Sequence, residues 1–323
     1  MNRPSLKYRY LIRSIGIVLL VVILTRVDLG DVGRQLQNCR PLAVVLAIFL
    51  IVPQVALRAY RWQGLMARLA IRCSWRQALI FYFTGIFVGL VTPGRLGELA
   101  KGVFLKQYGI ASIGRSLPSV LADRILDLLV LMGLALLALP YLDLMPHAGK
   151  VSLLMLGLMA VFIALGLKWL TTSSQLSVFA VKIRKRLKTN WSGSLDDFVA
   201  GSRTLIAPGL WTSLVWTVAG YAVFFIQTTS IGYALGLPAD FMTIAMVVSI
   251  SILVGFIPIT FAGLGTRDAV LIFLFGQTGV SETAALGFAI LYIFVNVICL
   301  GIISSVFWFF LPQRPAGFND QDA

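Results

Sequence analysis

The sequence predicts an all-α polytopic membrane protein with about six crossing helices plus two re-entrant hairpins, arranged as an inverted repeat. Three observations predict it. Of 323 residues, 59% are hydrophobic and only 12% charged, and the mean hydropathy is +0.90, whereas a soluble domain carries about 25% charged residues. Apolar runs recur at close to the length of about 20 residues that a helix needs to cross hydrocarbon. The pattern is then interrupted twice by clusters of proline, glycine and charge, in LVTPGRLGELAKG from Leu90 to Gly102 and in IPITFAGLGTRDAV from Ile257 to Val270.

The runs are, in order, Leu11 to Leu24, Leu42 to Leu57, Ala78 to Val91, Leu117 to Leu139, Val151 to Leu170, Leu210 to Leu235, Phe241 to Ile259 and Ala284 to Leu311. They leave no room for a soluble catalytic domain. Arg3, Lys7, Arg9 and Arg13 precede the first run, which ends at Thr25-Arg26-Val27-Asp28 without a small-residue cleavage site, so it reads as a retained helix. Cys39, Cys73 and Cys299 are scattered and form neither a disulfide framework nor a zinc motif. No metal, cofactor or catalytic residue is expected, and His147 sits in a loop beside Pro146.

A formal charge of +14 raises the possibility of nucleic acid, but the basic residues lie where cytoplasmic loops meet anionic lipid. One group is Arg58, Arg61, Arg68, Arg72 and Arg76; another is Lys168, Lys182, Arg184, Lys185, Arg186, Lys188 and Arg203. The expected location is the bacterial cytoplasmic (inner) membrane, multi-pass, with the amino terminus in the cytoplasm. Trp62, Trp75, Trp211 and Trp216 are read as interfacial belt residues.

Three apolar runs separate the 58 to 76 loop from the 168 to 207 loop, and an odd number of crossings cannot return the chain to the same side. Residues 76 to 108 therefore read as a re-entrant hairpin, broken at Thr92-Pro93-Gly94. TPGRLGELAKGVFLKQYGIA and TFAGLGTRDAVLIFLFGQTGVS share a glycine-bearing tip, a charged pair, a short helix and a terminal glycine followed by Ile or Val. Three crossings between the hairpins make them enter from opposite faces. The whole chain, 1–323, is then one transmembrane domain: a first half over 1–140, a second over 149–311, and a basic cytoplasmic linker over 171–207 that the second half partly includes. Interrupted segments at matching positions of two halves point to a transporter's substrate site.

Non-helical backbone survives at membrane depth only inside protein or beside a wet cavity. The tips, with Thr92, Pro93, Gly94 and Gly97 in one and Pro258, Gly263 and Gly265 in the other, should therefore face each other and water. Arg95, Glu98 and Lys101, Arg267 and Asp268, and Asp123, Arg124 and Asp127 in SVLADRILDLLVL are charges of the kind that mark a pathway. Asp123 and Asp127 share a helical face, with Arg124 about 100° round from Asp123. Three readings fit these residues. In the first, arginines neutralise a lipid phosphate and the protein moves an anionic or phosphate-bearing lipid between leaflets. In the second, Asp123 and Asp127 hold Mg²⁺ against a lipid phosphate. In the third, Glu98 with Lys101, Asp127 with Arg124, and Arg267 with Asp268 are ion pairs of a structural or partner-binding membrane protein.

ALRAYRWQGLM, VTPGRLGELAKGVFLKQYGI, SVLADRILDLLVL and GFIPITFAGLGTRDAVLIFLF together resemble the flippase-like transmembrane family typified by the membrane domain of bacterial lysylphosphatidylglycerol synthases. The likeness spans nearly the whole chain. It implies lipid translocation, and it implies that Thr92, Pro93, Gly94, Gly97, Glu98, Asp123, Arg124, Asp127, Arg58, Arg61 and the turn from Gly263 to Arg267 occupy the family's characteristic positions. Two departures bear on the substrate. The chain ends in the short tail GFNDQDA, which makes it a stand-alone member without the aminoacyl transferase domain. Where the family's last helix often carries an arginine, this one reads ILYIFVN, with Tyr292 and Asn296.

Overall fold

A computed structural model describes residues 34, 37–90, 92, 95–145, 147–172, 192–206, 210–257 and 263–311; within 162–172, 192–195, 206 and 210 it describes the backbone alone. The predicted helix from Leu11 to Leu24, the tip residues Pro93, Gly94 and Pro258, and residues 173–191 and 207 of the predicted linker lie outside the described residues.

The described residues form helices and turns, without a strand. They run α1 (Pro41–Phe49), α2 (Ile51–Arg68), α3 (Trp75–Leu90), a 3₁₀ turn (Leu96–Leu99), α4 (Ala100–Gln107), α5 (Ile113–Tyr141), α6 (Ala148–Thr172), α7 (Ser192–Ile206), α8 (Leu210–Ala234), α9 (Phe241–Gly255), α10 (Thr266–Gln277), α11 (Glu282–Ile293), a π segment (Phe294–Cys299) and α12 (Leu300–Trp308). Three stretches among these are long and apolar enough to cross a membrane: Pro41–Arg68, Trp211–Ala234 and Glu282–Trp308. The 29 residues of α5 extend about 44 Å at 1.5 Å per residue, with Asp123, Arg124 and Asp127 along the way. The chain is an all-α polytopic membrane protein.

Local chemistry sets the ends. Pro41 opens α1 at its first turn, where a missing N–H costs nothing. Ser112, Asp240 and Ser281 each accept a backbone N–H of the first turn, starting α5, α9 and α11. Both short helices that follow the interruptions stop the same way. After α4, Gly109 (φ +67°) is left-handed and the Ile110 and Gly109 amides return to the carbonyls of Leu105 and Lys106. After α10, Gly279 (φ +81°) repeats the arrangement, with Val280 and Gly279 returning to Phe275 and Gly276.

One expectation about charge is corrected here. Arg58 and Arg61 are not in a loop, because α2 continues to Arg68 and the connection to α3 is only residues 69–74. The reason is periodicity: Val55, Ala59, Trp62, Leu65 and Met66 carry a buried face past the end of the apolar run. Trp62 is fully buried there and donates Nε1–H to Ser119 Oγ at 3.2 Å, so it is a core residue, not part of an interfacial belt.

The helices pack reciprocally. The two that precede the interrupted segments, α2 and α8, pack on each other. The first arm of the first interrupted segment, α3, packs on α12, while the corresponding arm of the second, α9, packs on α5. Outward faces carry Leu42, Phe49, Leu153, Trp211, Ile302 and Phe309, all exposed, as the lipid-facing sides of crossing helices require.

Candidate functional site

Asp123 and Asp127 share one face of α5, as their spacing predicts, and that face meets α2. Arg61 reaches both: Nε and Nη2 donate to Asp123 Oδ1 at 3.0 and 2.5 Å, and Nη1 donates to Asp127 Oδ1 at 2.7 Å and to Thr217 Oγ1 of α8 at 2.9 Å. The other carboxylate oxygen of Asp123 accepts from Lys101 Nζ at 2.7 Å and from the Tyr82 hydroxyl at 3.2 Å. Lys101 also lies 3.9 Å from the centroid of the Tyr82 ring. Arg61, Lys101 and Asp123 are each 1% exposed or less. A buried charge survives only when paired and hydrogen-bonded, and this knot satisfies that condition. It ties α2, α4, α5 and α8 together.

At the first turn, Thr92 Oγ1 accepts the Gly97 N–H at 2.7 Å and donates to the Gly89 carbonyl at 3.1 Å. Arg95 sits between them in the left-handed region, φ +56°. Gly97 has no alternative, since a Cβ there would run into the Val88 carbonyl and Thr92 Oγ1. Gly85 and Gly89, one turn apart on α3, leave the space that the Lys101 and Glu98 side chains fill. Glu98 is 3% exposed and accepts a hydrogen bond from Arg124 Nη2. Glu98 therefore pairs with Arg124, not Lys101, because Lys101 turns to Asp123.

At the second turn, Gly263 (φ +75°) packs against Gly255 and leads into α10. Asp268 Oδ2 accepts the Gly265 N–H at 3.0 Å, while Oδ1 accepts from Arg267 Nε and Nη2 at 2.9 and 2.5 Å. Arg267 lies 4.5 Å above the Tyr292 ring.

Both turns contribute to one cavity of about 50 Å³. Arg95 and Glu98 line it from the first, Gly255 and Arg267 beside the second, Arg58 from α2, Arg124 and Asp127 from α5, and Tyr292 and Asn296 from the last helices. Arg61, Lys101, Asp123 and Asp268 stand behind this lining and hold it. All ten charged residues singled out in the sequence thus belong to one assembly. The described tip residues Thr92, Gly97, Gly263 and Gly265 shape its two turns.

The lining is unbalanced toward donors. Four arginines face two carboxylates, Glu98 and Asp127. Arg58 makes no ion pair with any described residue and stacks on Tyr221 and Phe224, at 4.7 and 5.8 Å. The Arg95 guanidinium makes neither an ion pair nor a hydrogen bond with any described residue. Among the described residues Arg58 Nε, Arg124 Nε, Arg267 Nη1 and Asn296 Nδ2 are buried donors without a partner, and all belong to cavity residues. Of the lining carboxylates, Glu98 Oε2 and Asp127 Oδ1 accept from arginines.

Sequence reasoning missed the neutral half of the site. Gln54 lines the cavity and donates to Gln227 Oε1 at 2.9 Å, and Gln227 in turn donates to the Ala47 carbonyl at 2.9 Å. Tyr82, Tyr221 and Thr217 are likewise site residues. A glutamine inside each of two apolar runs was the available signal. Asn296 falls in the π segment, a local widening that often marks a functional position.

Comparison with known proteins agrees with these motifs. Residues 11–304 match the profile of the lysylphosphatidylglycerol synthase TM region. A UPF0104 membrane protein of Pyrococcus horikoshii is 25% identical over 312 residues, covering 88% of this chain and 91% of the relative. Another from Methanothermobacter thermautotrophicus is 25% identical, covering 84% and 86%, and one from Methanocaldococcus jannaschii is 20% identical, covering 90% and 91%. The protein is a member of the lysylphosphatidylglycerol synthase transmembrane-region family.

Proposed function

We propose that the protein is a lipid translocase that moves a phosphate-bearing lipid between leaflets, and is not an enzyme. One observation carries the reading: the cavity between the two glycine-rich turns is lined by four arginines against two carboxylates, with buried donors that find no partner among the described residues. A ligand that completes it must be rich in acceptors and negatively charged, and phosphate oxygens meet guanidinium forks in that way.

The reading takes the two interrupted segments as opposed re-entrant hairpins of an inverted repeat in the inner membrane, with the amino terminus cytoplasmic. Two features support the repeat: the identical glycine stops after α4 and α10, and the reciprocal packing of α3 on α12 and α9 on α5, with α2 on α8 at the centre. Rocking one half against the other exposes such a site to each side in turn. The Mg²⁺ enzyme is the weaker reading, because Arg61 and Lys101 already occupy the oxygens of Asp123 and Arg61 also holds Asp127.

The test is transbilayer movement in sealed proteoliposomes. A fluorescent phosphate-bearing lipid should become accessible to an impermeant quencher faster than in protein-free vesicles, and Arg95→Gln should remove the difference. Equal rates with and without protein refute translocation, and activity that disappears on chelating Mg²⁺ favours the enzyme.

A further inference from the structure

We infer that the ligand's headgroup ends in a doubly charged phosphate, a phosphomonoester or terminal diphosphate, not a phosphodiester. This rests on the proposed function and names its substrate class.

The charge count comes first. The assembly contains six cations, Arg58, Arg61, Arg95, Lys101, Arg124 and Arg267, and four carboxylates, Glu98, Asp123, Asp127 and Asp268. Arginine stays protonated in proteins. Two positive charges are left over, and the geometry identifies the arginines that carry them. Arg61, Arg124 and Arg267 each hold a carboxylate, and Lys101 shares Asp123. Arg58 and Arg95 hold none, and both line the cavity. An uncompensated charge at membrane depth is costly, so two together call for a dianion. A phosphodiester neutralises only one. An aminoacyl headgroup, which brings an ammonium of its own, adds to the excess.

Size points the same way. A cavity of about 50 Å³ has room for roughly three to five waters at 10–15 Å³ each. A bare phosphate fits that space in this conformation.

The unpartnered donors agree with a terminal phosphate. Arg58 Nε, Arg124 Nε, Arg267 Nη1 and Asn296 Nδ2 come from α2, α5, α10 and the π segment, so they surround the space from four elements. A terminal phosphate offers three oxygens free of any ester, whereas a diester offers two. Arg58 lies 4.7 Å over the Tyr221 ring and Arg267 4.5 Å over the Tyr292 ring, with Arg58 Nε and Arg267 Nη1 left for these oxygens.

The test is competition binding by the full chain in detergent micelles, with fluorescent phosphatidic acid as the probe. The competitors are unlabelled phosphatidic acid, phosphatidylglycerol and inorganic phosphate. Phosphatidic acid should bind at least tenfold tighter than phosphatidylglycerol at pH 8, and the preference should collapse toward pH 5 as the second phosphate charge, with a pKa of about 6, is lost. Arg58→Gln and Arg95→Gln should each reduce phosphatidic acid to the level of phosphatidylglycerol, and Arg58→Lys should keep most of the preference. Equal affinity for the two lipids, with both weakened by the glutamine variants, overturns the dianion and leaves the phosphate-lipid reading standing. Absence of binding by either lipid defeats that reading as well. Inorganic phosphate matching phosphatidic acid overturns the lipid assignment and makes the site one for a free anion.

Discussion

Asp123→Asn separates the cations that hold the fold from those that await a ligand. The substitution keeps the shape of the side chain and removes its charge. Asp123 accepts from Arg61 Nε, Arg61 Nη2, Lys101 Nζ and the Tyr82 hydroxyl. In the variant Lys101 loses its anion and Arg61 retains only Asp127. Breaking a buried pair by removing one partner costs about 3–5 kcal/mol, and the neighbouring carboxylates cannot repair the loss because Glu98 is engaged by Arg124 and Asp127 by Arg61. At 1.36 kcal/mol per tenfold, the unfolding equilibrium should shift by about two to nearly four powers of ten. Denaturant unfolding in mild detergent measures it. Arg58→Gln and Arg95→Gln, which separate no pair, should stay within about 1 kcal/mol of the native protein. An Asp123→Asn loss below about 1 kcal/mol, or a loss as large for Arg95→Gln, refutes the division of labour.

Three further outcomes follow from the same geometry. Gly97→Ala places a Cβ against the Val88 carbonyl and should abolish translocation while costing roughly 1–3 kcal/mol, the scale of a locally strained backbone; activity at the native rate contradicts the tightness of that turn. Gln227→Leu strips Gln54 of its partner and should cost about 1–2 kcal/mol, read in the same unfolding assay, with the Gln54→Leu/Gln227→Leu double variant less destabilised than the sum of the singles. Asp240 caps α9, and its hydrogen bonds to Thr243 hold its carboxyl below the usual range. Its contribution is therefore present above the unfolded value of about 3.9 and lost as pH falls through the lower folded value. Asp240→Ala should destabilise slightly at pH 7, at the low end of the ~0.5–2 kcal/mol range for a cap, and be indistinguishable from the native protein once the acid form dominates.

The charged residues were legible because ionisable groups stand out against an apolar chain, and the bilayer leaves them few places to go. Glu98, Asp123, Arg124 and Arg267 needed only their depth in the sequence to be singled out. Their partners were not legible. Arg61 looked like a loop residue because hydropathy falls at Arg58, yet the buried stripe through Ala59, Trp62 and Leu65 carries α2 on for another three turns. Lys101 sits one helical turn from Glu98, a spacing that favours a local pair, but the space above Gly85 directs it to Asp123. Tyr82, Tyr221 and Gln227 sat in apolar runs with no charge to mark them, and only the packing of α3 and α8 on α2 turns them inward.

Access to the cavity is the property on which transport stands or falls. In a background with Cys39, Cys73 and Cys299 replaced, single substitutions Ile86→Cys and Ile252→Cys place one thiol beside each half of the lining without removing a ligand group. An impermeant thiol reagent is then applied to either face of sealed vesicles. Alternating access predicts that both positions react from both faces, at rates that fall when an acceptor-rich lipid occupies the site. Thiols that react from neither face, or from the same single face under every condition, contradict a site that serves two leaflets.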